Sequence, residues 1–410
     1  DSRVHFHYNL GGTVTGRASS RLHQTPRNPF VRSVLGAPPG WALIKADLSQ
    51  IELRIAAHLA NEPIMQAEFL QGIDPHWETM LSIIGGNSNE SDSAIDTIQR
   101  YCHRHGLPPT KTSVSILKRV VEEGGRKTSQ ESNLQDARAA LAIAAPTQGL
   151  REYQSLLRMG PDSMGVGSGN QAITFEDASA LMSLIGASTA QGLHEIWKEL
   201  RKKAKAVNFG FLFGMGWKSF IEYARDKYEV HVTEEEAKAY RNGFFAHWPQ
   251  LAVWHDKSRG LAHKNQQMTY LDGRIRHLPD IRSSNYGARA EAERCAINAP
   301  VQGFASDLVL MALVELEGFV EGGSAFDLEE AFTVGQAHDE LLFQVRADRT
   351  KQWGLVIKNV MERPLLLDIL GIKLNIPIEV EIEVGSHWAD PEAIPLNKLL
   401  ATGGWNGRDI

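Results

Sequence analysis

The sequence predicts an α+β fold, and three observations predict it. Strand-like patterns of alternating or continuous apolar residues sit far apart along the chain. Long helical patterns occupy the intervals between them. The strands arrive by hairpins and long excursions, not by regular alternation with helices, which favours an antiparallel sheet with helices added to it.

Taken in order, residues 41–47 read as a strand and 49–60 as a helix capped by Ser49. Residues 268–278 read as a hairpin turning at Asp272-Gly273, a dipeptide suited to tight turns. From Ala288 to Val320 the pattern is helical, with a break expected near Asn298-Ala299-Pro300, where proline removes a backbone donor. Around Asp339 the pattern is strand, tight turn, strand. Residues 375–384 alternate from Ile376 onward like a half-exposed antiparallel strand. The span 82–190 differs in character, with Gly85-Gly86-Asn87-Ser88-Asn89 and the run from Gly165 to Asn170 marking flexible boundaries. It carries 10 Lys and Arg against 11 Asp and Glu, so it is no basic clamp and reads as an insertion.

A chain of 410 residues with 42% hydrophobic content buries a large core and suggests two or three domains. No apolar run of about 20 residues is long enough to span a bilayer, and residues 1–20 lack the layout of a signal peptide. Two cysteines, Cys102 and Cys295, argue against a disulfide framework and for a reducing cytoplasm; Cys295 is assigned to packing. The net charge of −6 does not exclude nucleic acid, because only the field of one cleft steers it.

Two acidic motifs carry the chemistry. One is Asp47-Leu48-Ser49-Gln50-Ile51-Glu52-Leu53-Arg54; the other is Ala337-His338-Asp339-Glu340, followed by an apolar run. Each places a carboxylate at the end of an expected strand, where Mg²⁺ can be held by one or two carboxylates together with substrate phosphates. Alone, Asp47 is equally a helix cap and Asp339 a turn residue, and spacing does not show that they meet. Between them, Arg201, Lys205, Phe209 and Phe213 recur at four-residue steps, a stripe about 18 Å long that is cationic at one end and aromatic at the other. A nucleoside triphosphate has the same polarity. So does an ordinary amphipathic helix with Phe in the core.

These three motifs, in this order, resemble the signature motifs of family A DNA polymerases, the bacterial DNA polymerase I group. Further segments fit the same family: Thr15-Gly16-Arg17-Ala18-Ser19-Ser20, Asp74-Pro75-His76-Trp77-Glu78-Thr79, Gly273-Arg274-Ile275-Arg276, and Arg294 through Asn298 to Pro300-Val301-Gln302-Gly303. The resemblance implies a palm carrying the antiparallel sheet (1–53 and 322–410) and mainly helical fingers (54–81 and 191–321), interrupted by the 82–190 insertion. It implies template-directed addition of dNTPs to a primer 3′-hydroxyl with release of pyrophosphate. Asp47, Asp339 and Lys205 would be catalytic. Two Mg²⁺ would be held by Asp47, Asp339 and the Leu48 carbonyl. The dNTP would meet Arg201, Lys205, Phe209, His76, Gln50, Glu52 and Phe213. The DNA primer-template would meet Arg17, Arg294, Asn298, Gln302 and His338, with Glu340 organising the region beside the metals. A monomer acting in a bacterial cytoplasm, its own or a phage host's, is expected. The family's thumb is expected to be absent from these residues, and the insertion is read as a DNA grip, a docking site for an accessory protein, or a neutral elaboration.

Departures matter as well. Phe213 stands where the family usually has Tyr, whose hydroxyl bonds the glutamate matching Glu52. Glu52, which excludes a ribose 2′-hydroxyl, is therefore expected to lose a partner, and Phe213→Tyr to tighten selection against ribonucleotides or mispairs. Leu48 and Ala337 replace a usual Tyr and Val as packing variants, and Phe209 predicts poor use of dideoxynucleotides. The rival readings are a single-subunit RNA polymerase, a metal phosphohydrolase built on His338-Asp339, and a catalytically weak DNA-binding remnant.

Overall fold

The computed structural model describes residues 5, 7–9, 13, 17, 19–26, 28–71, 74–79, 190–318, 329–390 and 392–402. Apart from Ala190, the insertion expected at 82–190 lies outside the described residues.

In chain order the main elements begin with strand β1 (Trp41–Leu48) and helices α1 (Ile51–Ala60), α2 (Pro63–Gln71) and α3 (Pro75–Glu78). Helices α4 (Ala190–Leu212), α5 (Trp217–Tyr228), α6 (Glu234–His247) and α7 (Pro249–Asn265) follow. A hairpin, β2 (Gln267–Thr269) and β3 (Ile275–His277), leads into the long helix α8 (Tyr286–Leu316). Strands β4 (Ala331–Ala337) and β5 (Glu340–Arg346), helix α9 (Thr350–Glu362), and strands β6 (Val380–Gly385) and β7 (Ile394–Pro395) complete the series. The chain divides into two compact units, one of Asp1–Asn61 with Val253–Ile410 and one of Glu62–Ala252.

The first unit is built on a five-stranded sheet in the order β4-β5-β1-β6-β7, with every pairing antiparallel. β1 is central because Ala42, Leu43, Ile44, Ala46 and Leu48 are all buried, and helix α9 packs against it. The hairpin turns at Gly273, whose φ of 89° suits a residue without a Cβ. Helix α8 packs on α1 and α9 and is long and apolar enough to cross a bilayer by composition, but 72% of its apolar window is buried in the fold, as in a core helix.

Three local expectations need correction. Helix α8 does not break: it runs unbroken through Pro300. Proline forfeits one ladder bond, but the burial of Ala296, Ile297, Ala299, Val301 and Phe304 around it outweighs that loss. Ser49 does not cap α1. Its amide donates to the Glu379 carbonyl (2.8 Å) and its hydroxyl to Glu381 (3.3 Å), and Gln50 precedes the helix in a left-handed conformation. The alternation from Ile376 onward is real, since Ile376, Ile378, Val380, Ile382 and Val384 are buried, but ladder pairing begins only at Val380.

The second unit is helical among the described residues. Its core is aromatic, with Phe211 packed on Phe220 (ring centroids 4.5 Å apart) and Phe244 on Trp248 (5.1 Å). Helix α4 ends in a left-handed Gly214, whose amide bonds the Phe211 carbonyl while Met215 bonds that of Gly210. A Cβ at Gly210 would sit 2.8 Å from the Phe220 ring, so only glycine lets α5 approach this closely. Thr233 and Glu236 form a reciprocal capping box at the start of α6. At the unit's ends, the fully buried Glu62 carboxylate accepts from the Ile64 amide (3.1 Å) and the Gln250 amide (2.7 Å). One side chain thus satisfies orphan donors in the first turns of both α2 and α7.

Candidate active site

The functional side chains expected from sequence fall into two groups, one in each unit. The first group forms at the end of the sheet. β4 and β5 are joined by a two-residue turn, His338-Asp339, closed by the Ala337–Glu340 pair. His338 takes φ 61°, the left-handed conformation such turns require, and is exposed. β1 and β5 pair with Asp47 opposite Glu340, and the Leu48 amide donates to the Asp339 carbonyl (3.3 Å). The sheet therefore brings the backbones of Asp47 and Asp339 side by side, which spacing alone could not show.

The electrostatics of this end are unfavourable to the apo fold. Burial, then the charges of Asp339 and Glu340, push the Asp47 carboxyl up to about 7, and Lys45 opposes them only in part. Lys45 itself pairs with Glu383. Burial also raises Glu340, countered by Lys45 and by the Trp388 indole, which donates to it at 2.6 Å. Arg32 lies 4.0 Å over the Trp388 ring. Among the described residues no cluster of three or more His, Cys, Asp or Glu side chains is arranged to hold a metal. Mg²⁺ does not need one: it uses one or two carboxylates and leaves positions for water and phosphate. A hard, all-oxygen donor set with uncompensated negative charge fits that ion.

Arg54, the last residue of the first motif, is 3% exposed and buttresses this end. Its guanidinium donates to Ser49 O, Pro377 O and Glu379, fixing the Ser49-Gln50 link beside Asp47. Glu52, in the first turn of α1, is ion-paired with Arg17, a partner that sequence spacing does not suggest. Burial raises its carboxyl, and Arg17 opposes that rise. Arg17 also donates from Nε to the Gln302 carbonyl (3.4 Å). Along α8, Gln302 is half-buried, Asn298 is half-buried with an Oδ1 that has no hydrogen-bond partner, and Arg294 pairs with Glu291 near the surface. Cys295 packs against the apolar cluster of Ala262, Met268, Leu278, Ile281, Ala292 and Ala296, in keeping with a packing role.

The second group lies on α4 and α3. Arg201, Lys205, Phe209 and Phe213 are partly exposed, while Ala204, Val207, Asn208 and Phe211 are buried beneath them, so the stripe is the outer face of a packed helix. The Phe209 and Phe213 rings stack 6.5 Å apart, 25° from parallel. Asp74 caps α3 through the His76 amide (2.9 Å) and pairs with Arg201 (3.3 Å). His76, only 4% exposed, is held against the Asn208 amide (2.8 Å) and the Phe209 ring (5.8 Å). Asn208 also bonds Thr79 and donates to the Pro75 carbonyl (3.3 Å). Asp74 and Asn208 organise this face and were not singled out from sequence. The motif containing Asp74-Pro75 was a readable sign, because an acidic residue before proline caps helices well.

Comparison with known proteins fits this arrangement. The chain is 25% identical over 393 residues to DNA polymerase I of Pseudomonas aeruginosa, covering 94% of this chain and 30% of the relative. It is 26% identical to the thermostable DNA polymerase I of Thermus filiformis, covering 95% and 32%. The chain thus spans about a third of the length of these curated relatives. A solved POL domain of Pol1 from M. smegmatis, in complex with DNA primer-template and dNTP, shares the fold with a TM-score of 0.57 at 21% identity, over 94% of this chain and 48% of that one. A model of DNA polymerase family A matches residues 1–99 and 182–390, and the chain belongs to that family.

Proposed function

We propose that the protein is a DNA-directed DNA polymerase that extends a primer 3′-hydroxyl with dNTPs and releases pyrophosphate. The observation that carries this reading is the pairing of β1 with β5, which sets Asp47 beside Asp339 where burial and the neighbouring carboxylates disfavour a bare charge. Asp47, Asp339 and the Leu48 carbonyl would hold two Mg²⁺, which when bound activate the attacking hydroxyl and stabilise the leaving oxygen. Phosphoryl transfer needs little covalent help from protein, so the remaining residues work by positioning and charge. Arg201 and Lys205 would neutralise the triphosphate, with Asp74 fixing the Arg201 guanidinium. Phe209 and Phe213 would offer stacking surface to base and sugar. His76 would act from its buried place through Asn208 and Phe209, and Gln50 from the link between β1 and α1. Asn298 and Gln302 would read, through their amide donors, the minor-groove acceptors common to all sequences, as an enzyme that copies any template requires. Arg17, Arg294 and His338 would contribute to the same DNA surface. Within this reading residues 1–53 and 322–410 form the palm and residues 54–81 and 191–321 the fingers.

Extension of a labelled primer-template with Mg²⁺ and dNTPs tests it, with Asp339→Ala as control. Template-dependent extension by the wild type and loss of it in the variant are expected; equal inactivity of both proteins leaves the DNA-binding remnant instead.

A further inference from the structure

The Glu52 carboxylate is largely shielded from solvent in the first unit, and its long side chain has several rotatable bonds. A buried carboxylate without a donor swings to solvent or takes up a proton. Here the donor comes from a part of the chain no spacing rule connects to it. Arg17 pairs with Glu52 through Nη2 and is anchored through Nε on the Gln302 carbonyl (3.4 Å). Its own backbone is fixed by the Thr13 hydroxyl, which accepts the Arg17 amide at 2.9 Å. The Glu52 and Arg17 side chains are 15% and 29% exposed, so the pair is shielded from most solvent.

Resting on the polymerase reading and on Glu52 as the group that excludes a ribose 2′-hydroxyl, we infer that Arg17 is a positioning residue for sugar selection. Its guanidinium fixes the Glu52 carboxylate against the body of α8. The planar fork suits two acceptors in different directions, a carboxylate and a main-chain carbonyl, which a lysine cannot serve together. The same residue thus ties the primer-contacting helix to the carboxylate that inspects the incoming sugar.

The test is a double-mutant cycle on Arg17→Lys and Glu52→Gln, read as the ratio of kcat/KM for a dNTP to that for the matching rNTP. A pure DNA-binding role of Arg17 affects both substrates alike and cancels in the ratio. The ratio is expected to fall about tenfold or more in each single variant, since hydrogen bonds to charged groups are worth that much, and to fall no further in the double variant. An unchanged ratio in Arg17→Lys, or strictly additive losses, overturns the inference while leaving the polymerase reading intact. A wild type that extends with neither sugar removes both. Urea unfolding of the same four proteins gives a readout independent of activity: coupled midpoints are expected, and additive midpoints overturn the pairing itself.

Discussion

Around Asp47 the first unit gathers Asp339, Glu340 and Glu381 against Lys45, whereas along Arg201–Phe213 the second unit lays cations and rings over a packed aromatic core. The carboxylate end stores repulsion that a cation would relieve. On the cationic face Arg201 has Asp74 opposite it, and its supporting residues Asn208, His76 and Thr79 satisfy one another. One half is strained until loaded and the other is rigid in advance, so substitutions should separate stability from activity in the first and link them in the second.

The largest effect breaks the comparison if it fails. Asp47→Asn should lower extension by about a thousandfold or more in steady-state kinetics, since it removes a metal-holding charge. In the second unit, Asn208→Ala should cost about 1–3 kcal/mol in urea unfolding, because it leaves buried groups on Thr79 and His76 unpaired. It should also raise KM for dNTP.

A smaller effect has the opposite sign. Asp47 has a folded pKa of about 7, above its ordinary 3.8, so its charge costs stability in the native state. That cost is absent at low pH, grows as pH rises through the window from about 4 to 7, and is complete above it. Thermal unfolding in EDTA should therefore show Asp47→Asn more stable than wild type at pH 8 and nearly equal at pH 4. Mg²⁺ should raise the wild-type midpoint and leave that of the variant unmoved. The smallest expected effect is that of Phe213→Tyr. With Arg17 already on Glu52, the dNTP to rNTP ratio should change by less than about threefold, measured in single-nucleotide incorporation.

What was legible in the sequence was what local periodicity encodes. The apolar run of β1, the hairpin at Asp272-Gly273 and the tight turn holding Asp339 all appear where patterning puts them. The four-step stripe from Arg201 to Phe213 emerged as one face because helix geometry alone decides it. What was not legible depends on partners distant in the chain. Ser49 looked like a cap until Glu379 and Glu381 claimed it, and Pro300 looked like a break until apolar burial on both sides held the helix together. Arg17 and Glu52 obey no common spacing, and Trp388 reaches Glu340 only because β6 returns along β1.

The Glu62 carboxylate, bonded at once to the starts of α2 and α7, bears on how this chain tolerates change in length. Glu62 opens the second unit and Gln250 lies just before its close, so the two ends of that unit are fastened to each other from inside. A segment added between fastened ends need not bring those ends together, and the entropy of a longer loop grows only slowly with its length. The Glu62 clasp thus keeps the two ends of the unit together whatever the length of chain that runs between them.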